Sequence, residues 1–324
     1  MAGAGAASGG SRHVRVGLVL EQPLVGYKGD PFQYGAYRGL LRARRDLHIE
    51  AKAVAPSPTA VDQFFAPFSW LARQHYDLVI GIGFLEQYAI SEAAQGRPRQ
   101  KFALLDVSRN DVPGRPANLE GVYFHTEQAA YLAGFIAAKI ADLGPPPHIV
   151  SSVGGIKLPT VDSFIAGFDA GAKRADPKIK LQIGYSGSFT ATAPCANVAR
   201  AQIDSGSKVI FNVAGACGYG ALATAKKHGV YGIGVDTDQS NLGSFILTSV
   251  VKNLNLAVYE LANRLVHRRL RTGGDLSFDL RNHGVYLGRF SPIVPPSLRR
   301  KLIPLARQIK RGKIKVPTTL SQSH

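Results

Sequence analysis

The chain has 324 residues, 45% of them hydrophobic, which is more than one core normally accommodates and favours two lobes. No window approaches the ~20 uninterrupted apolar residues of a membrane-spanning helix, and two cysteines without a CxxC pair exclude a zinc-ribbon or thioredoxin-type framework. The 39 Lys and Arg against 22 Asp and Glu give a formal charge of +17, which permits attraction to an anionic surface but says nothing about fold.

The first residues, MAGAGAASGGSR, read as a flexible leader (residues 1–13) with no apolar export segment. Residues 13–20 form a β-rich apolar run. In the loop behind it, EQPLVGYKGDPFQ, Asp30 can cap a helix and Pro31 suits its first position, while Tyr34, Tyr37, Leu40 and Leu41 recur at helical spacing. That aims a helix N-terminus at the carboxyl edge of the sheet, where Phe32 is either a core aromatic or a ligand platform. A strand over 49–54, a helix over 59–75 and a strand over 78–82 follow, the last ending in Gly83 and Phe84. Another strand, 101–105, ends directly in Asp106, and residues 122–124 cross into a helix over 127–141.

The pattern then restarts. Strands over 148–153, 179–185, 209–213 and 230–235 alternate with helices over 161–175, 195–205 and 215–227. Such alternation predicts an α/β protein of two doubly wound parallel-sheet lobes joined by a hinge. A strand-like run over 245–250, a helix over 251–270, a short strand near 284–287 and a basic helix over 296–311 complete the chain. The expected division is 14–124 plus 243–272 for the N-terminal lobe and 125–242 plus 273–324 for the C-terminal lobe.

The unit 209–239, VIFNVAGACGYGALATAKKHGVYGIGVDTDQ, organises the second half. Gly215 and its neighbouring glycines let a ligand or backbone approach closely, and Asp236 and Asp238 stand just past the second strand. Gly81 and Gly83 make only GxG, and there is no P-loop lysine, GxSxG elbow, HExxH or clustered histidine. No nucleophile or acid–base pair is placed, so neither an enzyme nor a cofactor is expected. Carboxylates at several strand ends with interspersed aromatics suit a polar ring-bearing molecule, although each Asp could equally cap a helix. Cys195 and Cys217 follow neighbouring strands, which fits either a disulfide or two free thiols; a disulfide would argue for an oxidising compartment. Arg42, Arg44 and Arg45, then Arg264, Arg268, Arg269 and Arg271, end two helices, and residues 280–324 contain no Asp or Glu. These cations form either a solvated face or a contact with an anionic surface such as a membrane, and no aromatic-interleaved basic repeat points to specific nucleic-acid binding.

The blocks GIGFLEQ (81–87), KFALLD (101–106), YLAGFIAAKI (131–140), VGGIKLPTVDSFIAGFDAGAK (153–173), YSGSF (185–189), FNVAGACGYG (211–220), YGIGVDTDQS (231–240) and ILTSVVKN (246–253) resemble, in colinear order, the basic membrane protein family of substrate-binding proteins. That family includes bacterial purine nucleoside receptors. The resemblance implies a type I periplasmic-binding-protein fold with three hinge crossings, an extracytoplasmic monomer, and a nucleoside captured for an ABC-type permease. It also implies that Phe32 and Phe189 stack on the base, Asp106 reads the base edge, Asp236 holds ribose hydroxyls, and Gly215 and Lys252 complete the site. The first loop departs from the family pattern: Glu21 is the carboxylate nearest the family's first Asp, and Gln33 stands where Asn is usual. A ligand-sensing domain of a larger regulatory or receptor protein, on the same fold, is the alternative reading.

Overall fold

The computed structural model describes residues 13–23, 29–56 and 64–320. The leader up to residue 12 and the expected helix start near residue 59 lie outside them.

The first half alternates β1 (Arg15–Val19), α1 (Pro31–Leu47), β2 (Glu50–Val54), α2 (Phe65–Arg73), β3 (Leu78–Ile82), α3 (Gln87–Gln95), β4 (Lys101–Leu105) and β5 (Leu119–Phe124). The second runs α4 (Thr126–Ala141), β6 (Ile149–Gly154), α5 (Pro159–Ala175), β7 (Lys180–Tyr185), α6 (Thr192–Asp204), β8 (Val209–Val213), α7 (Gly218–Lys227), β9 (Tyr231–Asp236) and β10 (Ile246–Lys252). Four elements close the chain: α8 (Leu254–Val266), β11 (Asp275–Phe278), β12 (Val285–Leu287) and α9 (Pro296–Lys310).

Two six-stranded sheets result, ordered β11-β5-β4-β3-β1-β2 and β12-β10-β9-β8-β6-β7. The orders match position for position, so each lobe winds both ways from its first strand and leaves a crevice at the carboxyl ends where the winding reverses. Central strands such as LVIGI of β3 and VIFNV of β8 are buried on both faces, as helix-covered parallel strands must be. The edge strand β2, EAKAV, keeps charges and partial exposure. Phe168 of α5 stacks on Phe211 of β8 with ring centroids 4.9 Å apart, fixing helix to sheet in the second lobe.

Local chemistry starts α1 as its sequence requires. The Asp30 carboxylate accepts the Phe32 N–H at 2.9 Å, and Pro31 occupies the first turn. The helix expected from 251 begins only at Leu254. Lys252 still belongs to the strand, and Asn253 caps the helix by accepting the Leu256 N–H at 3.2 Å.

The lobe boundaries after residue 242 differ from those expected. The run over 246–252, expected in the N-terminal lobe, pairs parallel with β9 in the second sheet, with Val250 opposite Val235. Its seven residues are all buried, which a central position beside β9 provides. Helix α8 then crosses to pack on α1, where Gly39 leaves room for the Asn255 carbonyl; a Cβ there would lie 2.6 Å from that oxygen. The stretch 275–278, expected in the C-terminal lobe, is a strand of the first sheet, with Asp275 opposite Gly121. DLSF does alternate polar and apolar residues, but over only four positions, the shortest run that could announce a strand. The chain passes between lobes after Phe124, after Lys252 and between Phe278 and Val285.

Candidate functional site

A cleft lies between the carboxyl ends of the two sheets. From the first lobe come Glu21 after β1, Asp30 and Phe32 at the start of α1, Gly83 to Leu85 after β3, and Asp106 after β4. The second lobe contributes Thr160 and Phe164 of α5, Phe189 after β7, Gly215 after β8, Asp236 ending β9 and Lys252 ending β10.

The two lobes supply equivalent positions. Asp106 and Asp236 end matching strands, and both adopt left-handed backbone, with φ of 67° and 63°. Asp tolerates this conformation better than most side chains, and it turns each carboxylate into the cleft. Gly83 and Gly215 follow the other matching pair of strands, also at positive φ. A Cβ on Gly215 would come within 3.3 Å of the Phe189 carbonyl oxygen, so this glycine lets the Phe189 loop sit against β8.

Lys252 is the charge that joins the halves. Its ammonium donates to Asp106 Oδ2 at 2.6 Å across the cleft and lies 3.9 Å from Asp236 Oδ1. It also stands 5.0 Å from the Phe32 ring centroid and 4.9 Å from that of Phe164. All three charged groups are buried, so neither Asp could remain ionised without this partner and cation–π support. One cation nevertheless faces a surplus of carboxyl groups. Burial raises the pKa of Asp106 against the opposing pull of Lys252, and burial likewise pushes Asp236 to about 7. Withdrawal from water, reinforced by Asp30 and Asp106, lifts Glu21 to about 8. Behind it, fully buried Glu86 accepts the Ile82 N–H at 2.7 Å through Oε2, while its Oε1 has no hydrogen-bond partner among the described residues. Burial raises its pKa well above the carboxylate range, with Glu21 adding to the effect.

Of the residues singled out from sequence, Phe32, Asp106, Phe189, Gly215, Asp236 and Lys252 line this cleft. Gln33 and Asp238 do not. Gln33 is fully buried one position along α1; its amide donates to Asp30 at 3.3 Å and its carbonyl accepts the Gln22 N–H, so it braces the first loop. Asp238, two residues past the strand end, turns away from the cleft to accept the Arg289 guanidinium at 2.9 Å and the Ser240 N–H at 3.1 Å. Sequence reasoning had not assigned Phe84, Thr160, Phe164 or Glu86 to the site. Thr160 could have been found by analogy: Pro159-Thr160 opens α5 as Pro31-Phe32 opens α1. Phe164 and Glu86 carry no such mark, one lying on an ordinary amphipathic helix and the other in a charged helix start.

The cysteine alternatives resolve to a disulfide. Cys195, in the first turn of α6, is bonded to Cys217 before α7, with both side chains fully buried. The bridge sits under the cleft wall: the Cys217 N–H donates to the Phe189 carbonyl at 2.9 Å.

Set beside known proteins, residues 18–319 match a family model described as ABC transporter substrate-binding protein, PnrA-like. The ABC transporter nucleoside-binding protein BmpA of Lactococcus lactis subsp. cremoris is 31% identical over 264 residues, covering 76% of this chain and 72% of that one. Basic membrane protein A of Borreliella burgdorferi is 28% identical over 318 residues, covering 97% and 91%. Among solved structures, a solute-binding protein of an ABC transporter system from Aeropyrum pernix K1 superposes with a TM-score of 0.82 over 95% of this chain and 94% of that one, at 22% identity. That likeness establishes the type I periplasmic-binding-protein fold, and the match across both lobes establishes more: the chain belongs to the Bmp family of PnrA-like ABC-transporter substrate-binding proteins, whose role is binding rather than catalysis.

Proposed function

We propose that this protein captures a nucleoside, with a purine base the first choice, and delivers it outside the cytoplasm to an ABC-type permease. The observation that carries the reading is the composition of the cleft: an aromatic and a strand-end aspartate from each lobe, bridged by Lys252. Phe32 and Phe189 offer flat apolar faces to a base, and carboxylates accept hydrogen bonds from ring N–H and ribose O–H groups. The nucleoside-binding description of the Lactococcus relative supports the ligand class, and the buried disulfide supports an oxidising compartment.

The test is a thermal-shift screen of the full chain with adenosine, guanosine, inosine, the free bases and ribose, followed by calorimetry. A ligand well above its dissociation constant raises Tm. The expected result is a shift with at least one purine nucleoside and none with base or ribose alone. A chain that responds to no nucleoside would refute the reading.

A further inference from the structure

Ten of the chain's Lys and Arg, against no Asp or Glu, fall in residues 280–324, so this last stretch carries most of the net charge of +17. Its centre is α9, which buries Leu298, Leu302, Leu305 and Ile309 on one face. The helical repeat puts Arg300, Arg307 and Arg311 in a line directly opposite that face. Lys301 and Lys310 flank the line, and all five are exposed. From Arg300 to Arg311 the row spans roughly 17 Å. Among the described residues, no carboxylate lies within ion-pair distance of these five cations, whereas Arg45 at the end of α1 pairs with Asp46 at 2.7 Å and Arg264 at the end of α8 with Glu260 at 2.8 Å. Arg299 is the exception on α9, its guanidinium donating to the Val294 and Ser291 carbonyls.

Ile303 stands in the middle of this face, 57% exposed, between Arg300 and Arg307 on adjacent turns. An apolar side chain ringed by cations matches the boundary between phosphate headgroups and acyl chains. It has no counterpart in a nucleic-acid backbone, and residues 291–324 contain no Phe, Tyr or Trp on which bases could stack. None of these residues lines the cleft.

We propose that the exposed face of α9 docks the protein on an anionic lipid surface, with Arg300, Arg307 and Arg311 meeting headgroup phosphates and Ile303 inserted between them. Clustered cations on an amphipathic helix attract anionic lipid additively, within the range of ionic screening. The surface is independent of the cleft, so ligand capture and membrane docking can be separated by mutation.

The experiment is co-sedimentation of the full chain with phosphatidylglycerol-rich vesicles, with pure phosphatidylcholine vesicles as reference. Two triple variants are compared, R300Q/R307Q/R311Q and R42Q/R44Q/R45Q, together with Ile303→Asp, and each is first checked for wild-type Tm. The expected result is salt-sensitive binding to the anionic vesicles only, weakened at least tenfold by the α9 triple variant and by Ile303→Asp, and largely retained by the α1 triple variant. Equal losses in the two triple variants would mean diffuse charge attraction and overturn the proposal. No preference for anionic vesicles would do the same, as would vesicle binding left unchanged by Ile303→Asp.

Discussion

Asp236 joins several demands at one residue. It is buried, holds positive φ, lies 3.9 Å from the Lys252 ammonium and faces the cleft. Asp236→Asn keeps the shape but loses a charge-assisted acceptor, and Phe189→Ala removes one aromatic face. Each is expected to weaken nucleoside affinity at least tenfold in calorimetry while leaving the far-ultraviolet circular dichroism unchanged. The surplus of carboxyl groups also sets a pH dependence for the ligand-free protein. Glu21 and Asp236 hold their protons up to about 8 and about 7 in the folded chain, but release them near ~4 when unfolded. Between those limits the folded state binds more protons, so stability is greatest on the acid side and falls as pH rises, the loss being complete above about pH 8. His125, raised first by its hydrogen bond to Glu127, acts in the same direction from its ordinary value upward. Asp238 and Asp279, whose pKa values are lowered by hydrogen bonds and ion pairs despite burial, lose stability only in more acid solution. The expected outcome is a Tm lower at about pH 8 than at about pH 6, with Glu21→Gln reducing the difference.

At the scale of elements, two features hold the second lobe's cleft wall. Helices α4 and α5 meet almost backbone to backbone: a Cβ on Gly171 would lie 1.9 Å from the Tyr131 carbonyl oxygen, and one on Gly134 equally close to that of Phe168. No side chain can be accommodated there without separating the helices. Gly171→Ala should therefore destabilise by about 1–3 kcal/mol in urea denaturation, although Ala is the better helix former. The second feature is the disulfide that ties the starts of α6 and α7 beneath the Phe189 loop. The pair C195S/C217S should lower Tm and, by loosening that loop, weaken nucleoside affinity. In a Phe189→Ala background the affinity loss should largely vanish, because coupled residues are not additive. Several of these elements were legible as strings of residues. Asp30-Pro31 announced α1 because capping and the proline ring are local physics. DLSF at β11 stayed silent, because its pairing with β5 is decided by a neighbour about 150 positions away.

For the whole molecule, the Lys252–Asp106 contact joins a strand of one lobe to a strand end of the other, and three chain crossings connect the lobes. Hinge motion between such lobes is expected to follow ligand occupancy. Small-angle scattering should show a smaller radius of gyration with saturating nucleoside than without, and Lys252→Met should blunt that change by removing the bridge.

Two parallel-sheet lobes, the strand-end position of Asp106 and Asp236 and the family resemblance were all determined by the sequence alone, because strand periodicity, caps and motif words are local properties of the chain. Tertiary structure decided which sheet receives β10 and β11, since pairing partners there compete over long separations. It also decided that Gln33 and Asp238 turn from the cleft while Phe164, Thr160 and Glu86 turn toward or behind it. The direction of a side chain depends on backbone position and packing neighbours, and those exist only once both lobes have formed.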